Sequence, residues 1–566
     1  MVRSRVALLL VVLVAAAASG AEPVSAALDR VPDGTAICVV VRDLQTHLQA
    51  VAKSPFFAWF RQSPLGERIL DPQELLKLKQ LHDFFAEQLG VTGEQLLDDV
   101  VGDAIVLAYM PGPAGKPDAE LGVILISPRK PEVMAKLIEK LNDLQQKSGE
   151  IKAVRERTYK GLTFVEREKV DGALEYYQLS DGVFAFTGQL GGIHGVVDRQ
   201  VAKPSSPSSV RRAIDRLGLE KRMAVAWFNP RNFDAELKLK HEATKDASER
   251  AFLGRFREVW AATDSFALDL HVDNGLELGV AAEFDPSKLP PELRNLAFPK
   301  SGPSAVSGKI PPEAMFAVSG RLDVPNLVAA LATFLPAEGK ASLKAVGEQF
   351  IGPLIGRDKL PAVLAGIGPD WAFWTTVPND AKVWMPEWTF AVKVSEPTAR
   401  PLQQAVEFAL QTARIAHNRD HADQIDLHEE VQGGIVVKSL VNETGFPAGF
   451  RPAFAVVEGY FVFASTPEVV RKFASTKPAL AKDAPLVRLS GTRLRSYLTA
   501  HGPAVASFLA KSQGRPVESV ERELKDLTAV LEAIDRLEIT RVSKNKTVRF
   551  AVRIELTKPL KSVSPK

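Results

Sequence analysis

One cysteine stands in 566 residues, Cys38. That excludes an intramolecular disulfide and any zinc site built from several cysteines. Cys38 lies in the apolar run Ala36–Val41, where it reads as a small buried hydrophobe rather than a reactive thiol. An excess of one charge is also missing. Lys plus Arg is 71 and Asp plus Glu is 68, which leaves no electrostatic footprint for nucleic acid. Beyond the N-terminus no apolar run reaches the roughly 20 residues that span a bilayer. Gly-x-Ser-x-Gly nucleophile elbows, Rossmann fingerprints and phosphate-binding loops are absent. No cofactor is expected. What remains is 46% apolar and 25% charged, the composition of an ordinary globular chain.

The N-terminus carries an address. Arg3 and Arg5 precede an uncharged run from Val6 to Ala18, and Ser19-Gly20-Ala21 supplies small residues. This is the pattern of a secretory signal peptide over residues 1–21, with cleavage expected after Ala21. The mature chain is then expected in the periplasm or at the cell surface, without a transmembrane segment. A short basic tail, residues 561–566, reads as a frayed end.

The body of the chain repeats itself. Val31-Pro32-Asp33-Gly34-Thr35-Ala36-Ile37-Cys38-Val39-Val40-Val41-Arg42 is echoed by Ile310-Pro311-Pro312-Glu313-Ala314-Met315-Phe316-Ala317-Val318-Ser319-Gly320-Arg321, at an offset of 279 (311 − 32). Ser180-Asp181-Gly182-Val183-Phe184 is echoed by Val457-Glu458-Gly459-Tyr460-Phe461, at an offset of 277 (459 − 182). Gly102 stands opposite Gly368 and Asp264 opposite Asp535. A long period of this kind indicates two copies of one unit. We expect them over residues 28–300 and 305–560, joined near the Pro/Gly/Ser-rich stretch Pro299–Pro312.

Within each unit, short apolar runs separated by turn signals outnumber possible parallel crossovers. Asp103–Met110 and Glu120–Ser127 flank a Gly/Pro loop, Ser180-Asp181-Gly182 makes a tight turn, and Asp273-Asn274-Gly275 is a strong hairpin signal. Helical spacing marks Pro131–Gln146, Pro401–Ala413 and Glu518–Ala533, and two amphipathic stretches cover Phe56–Leu70 and Gln73–Leu89. The expected fold class is α+β: two tandem homologous halves, each a largely antiparallel sheet with helices packed on one face.

Chemical candidates are few, and the repeat tests each one. Ser127-Pro128-Arg129-Lys130 has the Ser-x-x-Lys spacing of penicillin-recognising enzymes, but Ser127 aligns with Ser395 and Lys130 with Thr398. A serine kept without its lysine reads as a helix N-cap. His417-Asn418-Arg419-Asp420-His421 is the metal candidate: His417 and His421 share a helix face beside Asp420, with Asp423, Asp426 and His428 close by, a set suited to zinc or a similar ion. Its counterpart near residues 143–157 has no histidine, and the same stretch also reads as a solvated helix end. Trp371, Trp374, Trp384 and Trp388 crowd one expected hairpin and are candidates for ligand or partner contact. Trp371 and Trp374 must fall on opposite strand faces, so the four cannot line one site.

A cleavable leader followed by Val31-Pro32-Asp33-Gly34-Thr35, an apolar strand and Arg42-Asp43-Leu44 resembles a family of uncharacterised exported bacterial proteins that carry a domain of unknown function. The resemblance covers the layout of much of the chain and implies no activity or site. The second copy departs from it with Arg321-Leu322-Asp323. The sequence therefore points to an exported, non-catalytic binding or scaffold protein of the cell envelope, whose partner is an envelope protein or polymer of unknown identity. Two alternatives stand beside it: an exported hydrolase using carboxylates or the His/Asp cluster, and a peripheral component of a secretion or surface assembly. N-terminal sequencing of the protein from native envelope fractions should begin at residue 22. A chain that still starts at Met1 would rule out the cleaved leader.

Overall fold

The computed structural model describes residues 21–54, 57, 60–61, 86–87, 89–101, 103–114, 116, 119–202, 207–273, 275–298, 304–321, 323–335, 337–346, 360–380, 382–478 and 484–557. The leader up to Gly20, most of the two stretches 56–70 and 73–89, Gly102, Asn274, residues 299–303 and the basic tail lie outside the described residues.

Alternating and continuous apolar runs give the first half ten strands: β1 (Ile37–Arg42), β2 (Ala104–Met110), β3 (Leu121–Ser127), β4 (Ile151–Tyr159), β5 (Leu162–Lys169), β6 (Leu174–Ser180), β7 (Val183–Thr187), β8 (Ala224–Phe228), β9 (Thr263–Val272) and β10 (Gly275–Phe284). The second half has β11 (Phe316–Arg321), β12 (Ile367–Thr376), β13 (Glu387–Val394), β14 (Asp426–Gln432), β15 (Ile435–Val441), β16 (Ala453–Val457), β17 (Tyr460–Ala464), β18 (Val487–Ser490), β19 (Ile534–Lys544) and β20 (Thr547–Leu556). Every pairing is antiparallel. The lateral order in the first half is β4-β5-β6-β7-β3-β2-β1-β8-β9-β10. In the second half it is β14-β15-β16-β17-β13-β12-β11-β18-β19-β20. β10 pairs with β20 and joins the two rows into one sheet of 20 strands among the described residues.

The sequence reading of helices on one face needs correction, because helices cover both. The helices that matter here are α1 (Ala21–Asp29), α2 (Leu44–Ala52), α3 (Pro131–Lys147), α4 (Leu190–Val201), α5 (Ser209–Arg216), α6 (Ala247–Ala262), α7 (Pro291–Ala297), α8 (Val324–Phe334), α9 (Glu396–Asp420), α10 (Pro467–Ser475), α11 (Gly491–Gln513) and α12 (Val517–Ala533). Val123 and Leu125 of β3 pack with Leu28 of α1, Ile193 and Val196 of α4 and Ile214 of α5. Ile126, on the opposite face of the same strand, packs with Met134 and Leu137 of α3. In the second half Trp374 joins Val470 and Phe473 of α10, while Trp371 joins Leu402 and Val406 of α9. Central strands such as Ala104-Ile105-Val106 are apolar at successive positions, so neither face can be left to water.

Two local devices recur. Asp181 and Gly182 have φ of 42° and 71°, and Glu458 and Gly459 have 52° and 74°. Positive φ at both central residues is what a two-residue hairpin turn of the primed type requires. Each turn's acidic residue also meets a buried cation. Arg30 Nη2 lies 2.9 Å from Asp181 Oδ2, and Lys309 Nζ lies 2.6 Å from Glu458 Oε2. The cations are 7% and 4% exposed. Arg30 also donates to the Ser180 carbonyl, and Lys309 to the Phe473 carbonyl. Each pair ties the segment before the first strand of its half to the tip of a hairpin.

The seam is held by charge on one face. Asp269 of β9 has no solvent exposure and accepts from Arg549 Nε at 3.1 Å and Nη2 at 2.7 Å. Arg222 Nε sits 3.4 Å from Asp269, and its Nη1 2.9 Å from Glu277. Arg549 and Arg553 both bond Glu277, and Arg553 pairs with Asp273. Gly279 opens the room for this cluster: a Cβ there would stand 2.1 Å from Asp269 Oδ2 and 2.4 Å from Arg549 Nη2. Gly279→Ala should therefore destabilise the protein by about 1–3 kcal/mol in urea unfolding, as overpacking does. Gly122→Ala, which meets nothing within 4 Å, is the matched control and should cost far less.

Acid should act on the same cluster. Burial raises the Glu277 pKa, but Arg549, Arg222 and Arg553 together outweigh it, so the carboxyl is held below its usual value of 4.5. A depressed folded pKa gives stability that is present above the unfolded value and lost as pH falls below it through the folded value. Unfolding free energy measured downward from pH 5 should fall less steeply in Glu277→Gln than in the wild type.

Candidate functional site

The seam also creates a cavity on the sheet face opposite the charge cluster. Phe284 of β10 with Val548 and Phe550 of β20 forms its floor. The floor is apolar because the strand alternation that puts Glu277 and Arg549 on one face puts these side chains on the other. Leu289, Leu293 and Leu296, from α7 and the turn before it, cover the floor, and Val259 of α6 closes one side. The second half contributes Arg321, Asp323, Asn326 and Pro369. The volume is about 660 Å³, within the range of small-molecule sites.

Arg541 of β19 is the unusual member. Its Nη2 donates to the carbonyls of Leu296 (2.5 Å) and Ala297 (2.7 Å), at the C-terminal end of α7. Its guanidinium carbon lies 5.6 Å from the centroid of the Phe550 ring. Its Nε is buried without a hydrogen bond. Burial alone lowers its pKa, with no carboxylate opposing. Three of the other four polar residues of the described lining have partners. Arg321 lies 3.6 Å from Asp370, and Asp323 accepts from the Asn326 backbone N–H and Nδ2. The described lining holds no histidine, cysteine, serine, lysine or glutamate. Chemically the site can bury apolar surface and offer one uncompensated cation. It has no nucleophile paired with a base.

The candidates read from sequence lie elsewhere. His417 and His421 do come together near the end of α9, with parallel rings 4.2 Å apart. Stacked face to face, their nitrogens do not converge on one point. His417 Nε2 is 2.9 Å from the Asp423 carbonyl, and His421 Nδ1 is 3.1 Å from the His417 carbonyl. Asp420 turns away to accept two bonds from Arg419. Among the described residues no group of three His, Cys, Asp or Glu side chains could hold a metal ion.

The four tryptophans are spread over the packing of the second half. Trp374 is buried and stacks on Phe473; Trp388 meets Phe463 edge to face. Trp371 packs in the cluster of Phe390 and Leu402, and Trp384 rests on Phe508 of α11. Trp374 lies on the sheet face opposite Trp371 and Trp388, so the four do not line one site. Ser127 is not a helix cap, because α3 starts at Pro131 with Lys130 in the capping position. Lys130 Nζ is bound to Asp99 at 3.0 Å. Ser395 does hold the cap position of α9, and its Oγ bonds Thr398 Oγ1. Cys38 is fully buried, and burial pushes its thiol up to about 12, which suits the inert reading.

Arg541 has no sequence signal of its own. Its surroundings come from α7, more than 240 residues away. Comparison with protein-family models, with curated proteins and with solved structures gives no match. Packing tryptophans should behave as core: Trp374→Ala should cost about 3–5 kcal/mol in denaturant unfolding. A loss below about 1 kcal/mol would mean that Trp374 is not part of the core.

Proposed function

We propose that this chain is an exported, non-catalytic binding protein of the cell envelope, built from two copies of one α+β unit, residues 28–300 and 305–560. The observation that carries the binding reading is the cavity at the seam: an apolar space of about 660 Å³ with a single unpaired guanidinium and no catalytic pair in its described lining. Pockets that bind rather than react combine such walls with a few placed polar groups. Support for the duplication comes from the identical strand order of the halves, the paired primed turns and the repeated cation at Arg30 and Lys309 (offset 279, 309 − 30). Export rests on the N-terminal sequence and on a layout that resembles that of exported bacterial proteins. Among the described residues no helix is long and apolar enough to cross a membrane. The hydrolase and the assembly-component readings have no comparable observation behind them.

Native mass spectrometry of protein extracted from its source envelope tests the binding reading. The expected result is a small-molecule adduct that is absent from Leu293→Trp, in which the cavity is filled. Adduct-free protein, or an adduct that Leu293→Trp retains, would remove the cavity from the function.

A further inference from the structure

The cavity does not end at Phe550. Leu276, Leu278, Val280, Ala282 and Phe284 alternate along one face of β10, and Phe550 lies directly across from Val280. On the adjoining strand Leu268 is also across from Val280. Leu268, Leu278, Val280 and Phe550 are 49%, 59%, 41% and 43% exposed, although they lie on central strands of the sheet. Central strands are normally covered on an apolar face. The result is an open apolar track that runs along β10 into the cavity under α7. At about 3.3 Å per residue, Leu278 to Phe284 spans roughly 20 Å.

Arg541 stands beside the middle of this track, level with Val280 and directly across from Phe550 on the neighbouring strand β19. Two of its donors hold the end of α7, where the partial negative charge of the helix terminus favours a cation. That contact does not neutralise the guanidinium. Even a half-buried charge carries a desolvation cost that a counter-ion would offset. Among the described residues no carboxylate offsets the burial of Arg541: Asp370 lies 3.6 Å from Arg321, and Asp323 accepts from Asn326.

We infer that the cavity and its track bind a single-chain anionic amphiphile of the fatty-carboxylate class, with the carboxylate on Arg541 and the alkyl chain along β10. This rests on the binding reading above and goes further by naming the ligand's chemistry. A linear chain suits a track one strand wide. A carboxylate suits a guanidinium: with Nη2 committed to the α7 carbonyls, a remaining N–H of Arg541 can donate one charge-assisted bond to it. No covalent step is involved.

The test uses the full mature chain and calorimetric titration with hexadecanoate and hexadecanol, each below its aggregation limit. Wild type should bind hexadecanoate at least about tenfold more tightly, the scale of one charge-assisted bond. Arg541→Gln, which can still donate to the α7 carbonyls, should lower the carboxylate to the affinity of the alcohol and leave the alcohol unchanged. If Arg541→Gln fails to fold, Arg541→Lys keeps the cation and should retain a reduced preference. Equal binding of both probes by wild type, no binding of hexadecanoate, or a preference that survives Arg541→Gln would each overturn the inference. Leu293→Trp separates it from the reading beneath: equal binding that Leu293→Trp abolishes keeps the cavity and removes only the anion. Binding of both probes that Leu293→Trp leaves intact removes both. Phosphatidylglycerol vesicles distinguish a free amphiphile from a membrane surface. Co-sedimentation that Leu293→Trp does not change, without binding of free hexadecanoate, would point to the surface and against the cavity.

Discussion

The pairing of β10 with β20 is the contact through which the two halves become one body. Nine residue pairs run from Gly275 opposite Glu555 to Glu283 opposite Thr547. The buried carboxylate of Asp269 fixes this register, because it must meet Arg549 from the other half as well as Arg222 from its own. An antiparallel register that slips by one residue turns every side chain to the opposite face. Here such a slip would turn Phe550 toward Asp269 and Glu277 and carry Arg549 and Arg553 to the other face, leaving two largely buried carboxylates to Arg222. A buried carboxylate left alone costs several kcal/mol, so the cluster specifies the register more than it adds stability. Gly279, at the centre of the ladder, is the permissive residue that lets the cluster form.

The cavity depends on the same register. Phe284, Val548 and Phe550 share a face only because β10 and β20 are aligned as they are, and α7 closes over them from the segment that leads out of β10. Arg541 binds α7 to the sheet through backbone carbonyls alone. The two faces of the seam are thus complementary in character. One gathers opposite charges into a closed network; the other leaves one charge open beside apolar walls.

Much of the strand pattern could be read from the sequence. The hairpins β2–β3, β6–β7, β9–β10 and β19–β20 follow from apolar runs with Gly, Asp or Asn between them, and their turn signals are local. α4 was not legible, because three of its residues are glycine. Two of these serve packing: a Cβ at Gly192 would stand 2.5 Å from Thr187 Oγ1, and one at Gly195 2.9 Å from Pro32. Burial of Ile193, Val196 and Val197 overrides the weak propensity. The repeated cation was closer to view, since Arg30 and Lys309 stand two residues before the aligned Pro32 and Pro311. The cavity was out of reach. It assembles residues from Val259 to Phe550 through a seam that no local pattern announces. The histidine and tryptophan clusters were visible because they are dense in sequence, and density in sequence does not make a site.

The charge on the outermost strands has a consequence for self-association. Two separate ten-stranded sheets would present four rims, and among the described strands the joining of β10 to β20 leaves two, β4 and β14. Both are strongly charged. Lys152, Arg155 and Arg157 of β4 are tied to Glu166 and Glu168 of β5, and Glu429 and Glu430 of β14 to Lys438, Arg451 and Arg471. Ionic side chains anchored along an edge are a common defence against strand addition by another chain. The ionic side chains of both rims are thus spent on salt links to their own neighbours, which opposes the addition of a further strand at either edge.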